Sequence, residues 1–331
     1  MNAKLSKKEL LNRVLAAVDA SGWQALVSDR SHPFGLRLFR REDPGFISLR
    51  VYIWNCTPGG TNRPADEFRV QITGVIPVAG KGETTLLLGW HEGYGVFVGF
   101  DMHRHVGQAS ASPSIQVKEA SLLNAHNRAF SAYDRANGEI AVCFRPEFLV
   151  EYTLSLATLH GLTAEDDEAL DMLNSIDGLD EQEIETKIAD YERREVIVTI
   201  TRKFREYDFR HRVVTAYAAT CAFCGIQLKL VEAAHILPVA ADSSTDETRN
   251  GVALCALHHR AYDQNLISFD DQYRIEVSGA AIARLSELGL VGGLAAFRKG
   301  IKNAIVLPAD TRDYPDRGYI AESRKVRQWQ G

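Results

Sequence analysis

No apolar run in the 331 residues reaches the roughly 18 needed for a helix to cross a bilayer. A membrane-spanning protein is therefore not expected. The opening stretch, MNAKLSKKELLNRVLAAVDASGW, carries charge throughout. It lacks the apolar segment and small-residue cleavage site of a secretory leader, which points to a cytoplasmic protein. The cysteines are few and odd in number: Cys56, Cys143, Cys221, Cys224 and Cys255. That count argues against a disulfide scaffold. There is no internal repeat, and no glycine-rich loop of the kind that cradles phosphates. Excess positive charge is missing too, since the formal net charge is −5. This last absence excludes less than it seems to. Between Glu165 and Glu192 stand twelve carboxylates and one lysine, Lys187, so the rest of the chain sums to about +6.

The length suggests two domains, and 45% hydrophobic with 24% charged residues suggests a globular chain. The first 20 or so residues have an amphipathic helical pattern. A β-rich stretch follows. FISLRVYIW (Phe46 to Trp54) alternates, with Ile47, Leu49, Val51 and Ile53 on one face and Arg50, Tyr52 and Trp54 on the other. CTPGGTNRP is expected as a loop. DEFRVQITG alternates again. TTLLLGW and YGVFVGFD resemble more deeply buried strands. SIQV and GEIAVCF are short strands flanking a helix near Ser121 to Ala129, and PEFLVEYTLSLATLH is a helix with Pro146 in its first turn. LTAEDDEALDMLNSI and DEQEIETKIADYERRE are expected as acidic helices of an interdomain connector. RKFREYDFRHRVVTAYAAT is a separate basic helix leading into Cys221, and the tail holds a helix, a short strand near AIVLP and an extended end. The expected fold class is α+β: a β-rich α+β domain over 1–160, a helical acidic connector over 161–200, and a cysteine- and histidine-rich domain over 201–331.

The strongest local signal is a pair of pairs. Cys221-x2-Cys224 has zinc-knuckle spacing, with Gly225 letting the turn close. Cys255-x2-His258 repeats the spacing thirty residues on. Together they form a Cys3His set typical of a closed structural zinc site, one that contributes folding energy on the order of 10 kcal/mol. The competing reading, buried cysteines that bind nothing, explains a single pair better than two matched ones. His235, Asn250, His259 and Asp263 remain. Taken alone, His235 is as compatible with a hydrogen-bonded structural histidine, Asn250 with a turn before Gly251, Asp263 with a cap or ion pair, and Tyr262 with core.

The combination EAAHILP … NGVALCALHHRAYD resembles the HNH nucleases, whose fold is the ββα-metal motif, with zinc-stapled ends. The resemblance runs from about Phe204 to Phe269. It implies that His235 is the general base, that Asn250 holds the loop so that base and metal face each other, and that His259 helps to hold a divalent metal such as Mg²⁺. His259 and Asp263 stand at i and i+4, hence on one helix face, which lets both reach one ion. A phosphodiester repels nucleophiles with its charge. One metal offsets that charge and a neutral imidazole takes the proton of the attacking water. The sequence departs from the family at Ala234, where many members place an Asp or His ligand. Glu232 lies on the other face of an extended strand from His235 and ranks behind Asp263 as a replacement.

HNH modules are expected to need a companion that chooses the target. In the β-rich half, Arg69 suits guanine and Gln71 suits adenine, on a polar face shared with Glu67 and Thr73. Tyr52 and Trp54 suit stacking on an extruded base, and Arg104, between His103 and His105, suits a phosphate. The plainer reading makes each an ordinary strand or core residue. Asp66 and Glu67 lack the following lysine that a second nuclease centre would need. The expectation is a restriction-type DNA endonuclease of the kind used in antiviral defence. It would use structural Zn²⁺ and catalytic Mg²⁺ or another divalent metal, act on double-stranded DNA, modified DNA included, and work as a homodimer. The alternatives are a non-catalytic zinc-dependent DNA-binding protein and a nuclease switched by a small ligand of the N-terminal domain.

Overall fold

The computed structural model describes residues 4–40, 43–60, 63–107 and 113–330. The chain forms two units, Met1–Phe204 and Arg205–Gly331.

The first unit begins with α1 (Lys7–Ala20), started by a reciprocal cap in which the Ser6 hydroxyl accepts from the Glu9 N–H and the Glu9 carboxylate accepts from the Ser6 N–H. Leu10, Leu11, Val14, Ala17 and Val18 form its buried stripe. Then come β1 (Gln24–Asp29), β2 (Phe34–Arg40), β3 (Asp43–Pro58), β4 (Glu67–Gln71), β5 (Thr84–His91) and β6 (Val96–Phe100). They are followed by α2 (Met102–His105), β7 (Ser114–Lys118), α3 (Glu119–Arg128), β8 (Phe130–Asp134) and β9 (Ile140–Phe144). The strands join in one nine-stranded sheet with a main path β1-β2-β3-β5-β6-β9-β8. Among the described strands only β3 and β5 run parallel, from Leu49↔Thr84 to Asn55↔Trp90. The last three residues of β3 pair instead with β4, which pairs with β7.

This sheet is covered on both faces. Val51, Ile53, Leu86 and Leu88 enter one apolar core, and Tyr52, Trp54, Leu87 and Val98 enter another. Double burial is why β5 and β6 read as unbroken apolar runs. It also corrects the sequence-based view of β3: Tyr52 and Trp54 are 1% and 5% exposed and present no stacking surface. Cys56–Pro58, expected in a loop, extend β3; Thr61 and Asn62 of that loop lie outside the described residues.

Helices α4 (Leu149–Leu154), α5 (Leu156–His160), α6 (Asp167–Leu173), α7 (Glu181–Lys187) and α8 (Tyr191–Ala216) complete the run. The single helix expected over 146–160 is a 3₁₀ turn plus α4 and α5, broken where Ser155 leaves helical backbone geometry (φ −101°, ψ 11°). The acidic segment turns its apolar side chains inward: Leu170, Leu173, Ile176, Ile184 and Ile188 join the first core, while most of its carboxylates are exposed. Residues 202–216, expected as a separate basic helix, continue α8 without a break.

The second unit builds on the C-terminal half of α8. A hairpin of β10 (Val231–His235) and β11 (Gly251–Cys255) leads directly into α9 (Ala256–Asp263), a ββα unit. A small hairpin of β12 (Ile267–Phe269) and β13 (Ile275–Val277) follows, then α10 (Gly279–Glu287), α11 (Leu294–Lys299) and α12 (Arg317–Val326). Phe209, Val213, Phe223, Ile236, Val252, Leu254, Tyr262 and Phe269 form the centre of its core. The strand expected near AIVLP is a single bridge, Arg274↔Ala304, and the expected extended end is helical as α12. Among the described residues no helix is long and apolar enough to cross a membrane.

Candidate functional site

The turn after Tyr217 brings Cys221 and Cys224 under the end of β11. The Gly225 N–H closes it on the Cys221 carbonyl at 2.8 Å, with glycine in the left-handed region (φ +84°). The Ala222 N–H donates to the Ala253 carbonyl at 2.7 Å and ties the turn to β11. Cys255 ends that strand and His258 sits in the first turn of α9. The four ligand atoms lie within 4.8 Å of one another, with Cys224 Sγ 3.9 Å from Cys255 Sγ, and His258 Nδ1 3.6 Å from Cys221 Sγ and 3.2 Å from Cys255 Sγ. A tetrahedral zinc–sulfur site with bonds of about 2.3 Å has sulfur–sulfur edges of about 3.8 Å. The donor set and its spacing therefore fit a metal ion, and all three cysteines are free of disulfides.

Charge points the same way. Burial opposes ionisation of Cys221, but the His258 ring and the backbone N–H groups of Cys255, Cys224 and Phe223 outweigh it, drawing its pKa down to about 6. Burial pushes Cys224 up to about 12 and raises Cys255. One thiolate forms readily; the other two need a cation among them. Among the described residues this is the only cluster of three or more His, Cys, Asp or Glu ligand atoms this close together.

At the other end of the hairpin His235 pairs with Gly251. A side chain at 251 would collide with Val213 Cγ2 at 2.2 Å and meet Phe209 at 3.1 Å, so only glycine lets α8 pack this close. That approach seats Phe209 against His235, with ring centroids 3.8 Å apart and planes 11° from parallel. His235 Nε2 is 2.9 Å from Asp246 Oδ1, and the two side chains are 20% and 41% exposed.

Asn250 is fully buried. Its Oδ1 accepts from the Leu237 N–H at 2.9 Å, while Nδ2 donates to the Thr245 carbonyl at 2.8 Å and to Ser244 Oγ at 3.2 Å. Its backbone carbonyl accepts from the Ile236 N–H at 2.8 Å. One side chain thus closes the loop that leaves His235 and returns to β11. Asn250→Ala leaves several buried polar groups unpaired, so we expect a loss of about 3 kcal/mol in denaturant unfolding of this unit.

His259 faces away from His258's cluster, toward carboxylates. Its Nδ1 is 2.8 Å from Glu232 Oε2 and its Nε2 is 3.6 Å from Asp263 Oδ2. Glu232, ranked behind Asp263 from the sequence, makes the shorter contact. Asp263 Oδ1 also lies 3.9 Å from Arg327 of α12. An imidazole with two exposed carboxylates is a hard-donor set that suits Mg²⁺ or Mn²⁺ better than a soft metal. Ala234 is 2% exposed and packs in the core. Glu232 meets Nδ1 of the His259 ring and Asp263 meets Nε2, so among the described residues His259, Glu232 and Asp263 do not form a ligand group as tight as the cysteine–histidine cluster.

In the first unit, Arg69 and Gln71 lie on the half-buried face of β4, where β7 pairs Arg69 with Gln116 and Gln71 with Ser114. Among the described residues Arg69 Nε is buried without a hydrogen-bond partner. Gln116, Lys118, Tyr133 and Arg135 help to line a cavity of about 250 Å³ beside this face. Arg104 Nη1 donates to the Asn137 carbonyl at 3.4 Å and its Nε is 3.6 Å from Asp101. Two residues of the C-terminal site escaped sequence reasoning as partners. Asp246 lies in an unpatterned loop, and Glu232 was discounted on strand parity.

Comparison with known proteins then places these features. Residues 47–153 match a family model described as Methylase-associated X1, and residues 221–270 match the model for an HNH endonuclease. No curated protein matches the chain. Among solved structures, a modification-dependent TagI restriction endonuclease is similar at 11% identity and a TM-score of 0.29, over 87% of this chain and 82% of that one. The HNH match encloses both metal-ligand pairs, His235, Asn250, His259 and Asp263. The protein is a nuclease, carrying an HNH endonuclease domain in its C-terminal unit and a Methylase-associated X1 region before it.

Proposed function

We propose that the chain is a restriction-type DNA endonuclease. The C-terminal unit hydrolyses the phosphodiester and the N-terminal unit selects the target. His235 is the general base, removing a proton from the attacking water. Asn250 is a positioning residue that holds the loop behind His235. His259, Asp263 and Glu232 hold the catalytic divalent cation, and Cys221, Cys224, Cys255 and His258 hold zinc. When bound, the catalytic cation offsets phosphate charge and stabilises the leaving oxygen. The half-buried β4 face, with Arg69 and Gln71, supports a nucleic-acid-reading role for the N-terminal unit, and Arg104 supplies a further cation there. One active site per chain implies that a double-strand break needs two copies or two successive nicks.

The observation that carries this reading is the HNH match over 221–270. The Methylase-associated X1 match makes methylated DNA the first substrate to try. Methylated and unmethylated supercoiled plasmid would be incubated with the zinc-loaded protein and Mg²⁺ or Mn²⁺. We expect nicked and linear products that EDTA suppresses, with the methylated plasmid cut at least ~10-fold faster. Failure to cut either plasmid with either cation would overturn the nuclease reading for DNA. Equal cutting of both would overturn the methylation preference.

A further inference from the structure

We infer that Asp246 is a positioning residue for His235, holding the ring proton on Nε2 so that Nδ1 carries the lone pair that accepts a proton from water. This rests on His235 being the base. A carboxylate can only accept a hydrogen bond. The 2.9 Å contact from Asp246 Oδ1 to His235 Nε2 therefore selects the tautomer protonated at Nε2. Both neighbours of the ring are held by one helix. Phe209 of α8 stacks on its face. Three residues further on, Arg212 donates through Nη2 to the Asp246 carbonyl at 2.7 Å, through Nη1 to Thr248 Oγ1 at 2.8 Å, and through Nε to Asp208 at 2.7 Å. Asn250 secures the same loop from within through the Thr245 carbonyl, 2.8 Å away.

A partly exposed hydrogen bond of this kind contributes only about 1 kcal/mol to stability. Yet the backbone of Asp246 is braced from α8, and Asn250 ties the residue before it. That much bracing suits control of ring orientation and tautomer better than it suits stability. In the step itself, water loses a proton to Nδ1 and the hydroxide oxygen bonds to phosphorus. The bond from phosphorus to the leaving sugar oxygen breaks, and that oxygen takes a proton from solvent. The ring becomes an imidazolium, with Asp246 as its counter-charge. His235 then returns its extra proton to solvent.

The test uses the full zinc-loaded chain and Asp246→Asn. The amide is nearly isosteric, but its NH₂ would donate to Nε2 and favour the opposite tautomer. We expect kcat for plasmid cleavage to fall by ~10²–10⁴-fold, with KM for DNA changed by less than about threefold. With ¹⁵N-histidine labelling, the unprotonated nitrogen of His235 should move from Nδ1 in the parent to Nε2 in the variant. Asp246→Glu, which restores an acceptor, should regain part of kcat and the parental tautomer. Three results would each overturn the inference: an unchanged tautomer, a kcat within about threefold of the parent, or loss of divalent-cation binding by calorimetry, which would make Asp246 a ligand instead. If His235→Ala itself cuts at the parental rate, the base assignment falls with it, and that outcome is separate from the other three.

Discussion

His235→Ala should fold, keep its zinc and lose phosphodiester cleavage by ~10³-fold or more, a loss in the range of a positioned general base. The two halves of that expectation have separate causes. Structurally the side chain is dispensable. It is partly exposed, its hydrogen bond to Asp246 is worth about 1 kcal/mol, and its stacking on Phe209 adds about 1 kcal/mol. The strand that carries it is held by five backbone pairs with β11 and by Asn250, and the truncation touches none of these. Chemically there is no equal substitute, since a carboxylate is a far weaker base than an imidazole and the Asp246 oxygen is placed to accept from His235 Nε2. Affinity for DNA should change little, because the loss falls on proton transfer. Single-turnover cleavage with matched DNA-binding and zinc measurements would check it. A folded, zinc-loaded variant that cuts as fast as the parent would remove His235 from the reaction.

Cys224→Ser should unfold the C-terminal unit and leave the N-terminal one intact. Structural zinc contributes on the order of 10 kcal/mol, comparable to the whole net stability of a domain. In this unit the ligands tie three elements to one point. Cys221 and Cys224 sit on a turn after α8, Cys255 ends β11 and His258 starts α9. Of the two cysteines left, Cys221 forms a thiolate readily, but burial raises Cys255 and opposes its ionisation, so the remaining set is a poor trap for a cation. The N-terminal sheet has its own two apolar cores, built without any of these residues. Hydrogen exchange read by peptide would separate the units. Protection in β10, β11 and α9 should collapse, while β3, β5 and β6 keep theirs. Retained protection across β10 and β11 in a metal-free variant would refute a folding role for the ion.

The parts of this site that were legible beforehand are those set by local spacing. The Cys-x2-Cys and Cys-x2-His pairs, the strand-ending His235 and the i, i+4 pair His259 and Asp263 need only a turn, a strand and a helix to fall where they do. Asp246 and Glu232 were not legible as partners, because their contacts depend on where a long loop travels and on how α9 lies over β10. Tyr52 and Trp54 show a different failure. Their alternation is real, but alternation reveals which residues share a face and not whether that face is covered. Covered on both sides, β3 buries what a half-exposed strand would show. The change from acidic to basic residues along 180–216 was read as a boundary between helices, yet α8 crosses most of it unbroken, since a change of charge does not interrupt backbone hydrogen bonding.

The β10–β11 ladder has a further consequence. It runs five pairs, from Val231↔Cys255 to His235↔Gly251. It acts as a ruler clamped at both ends, by the cysteine–histidine cluster at one and by Asn250 at the other. Side chains alternate along a strand, so a slip of one residue would turn His235 away from its present face and put Ala234 there. The intervening loop can lengthen or shorten at modest cost so long as its anchoring residues remain. The strands themselves cannot change by even one residue, so the tolerances of this domain to insertion are set by parity rather than by distance.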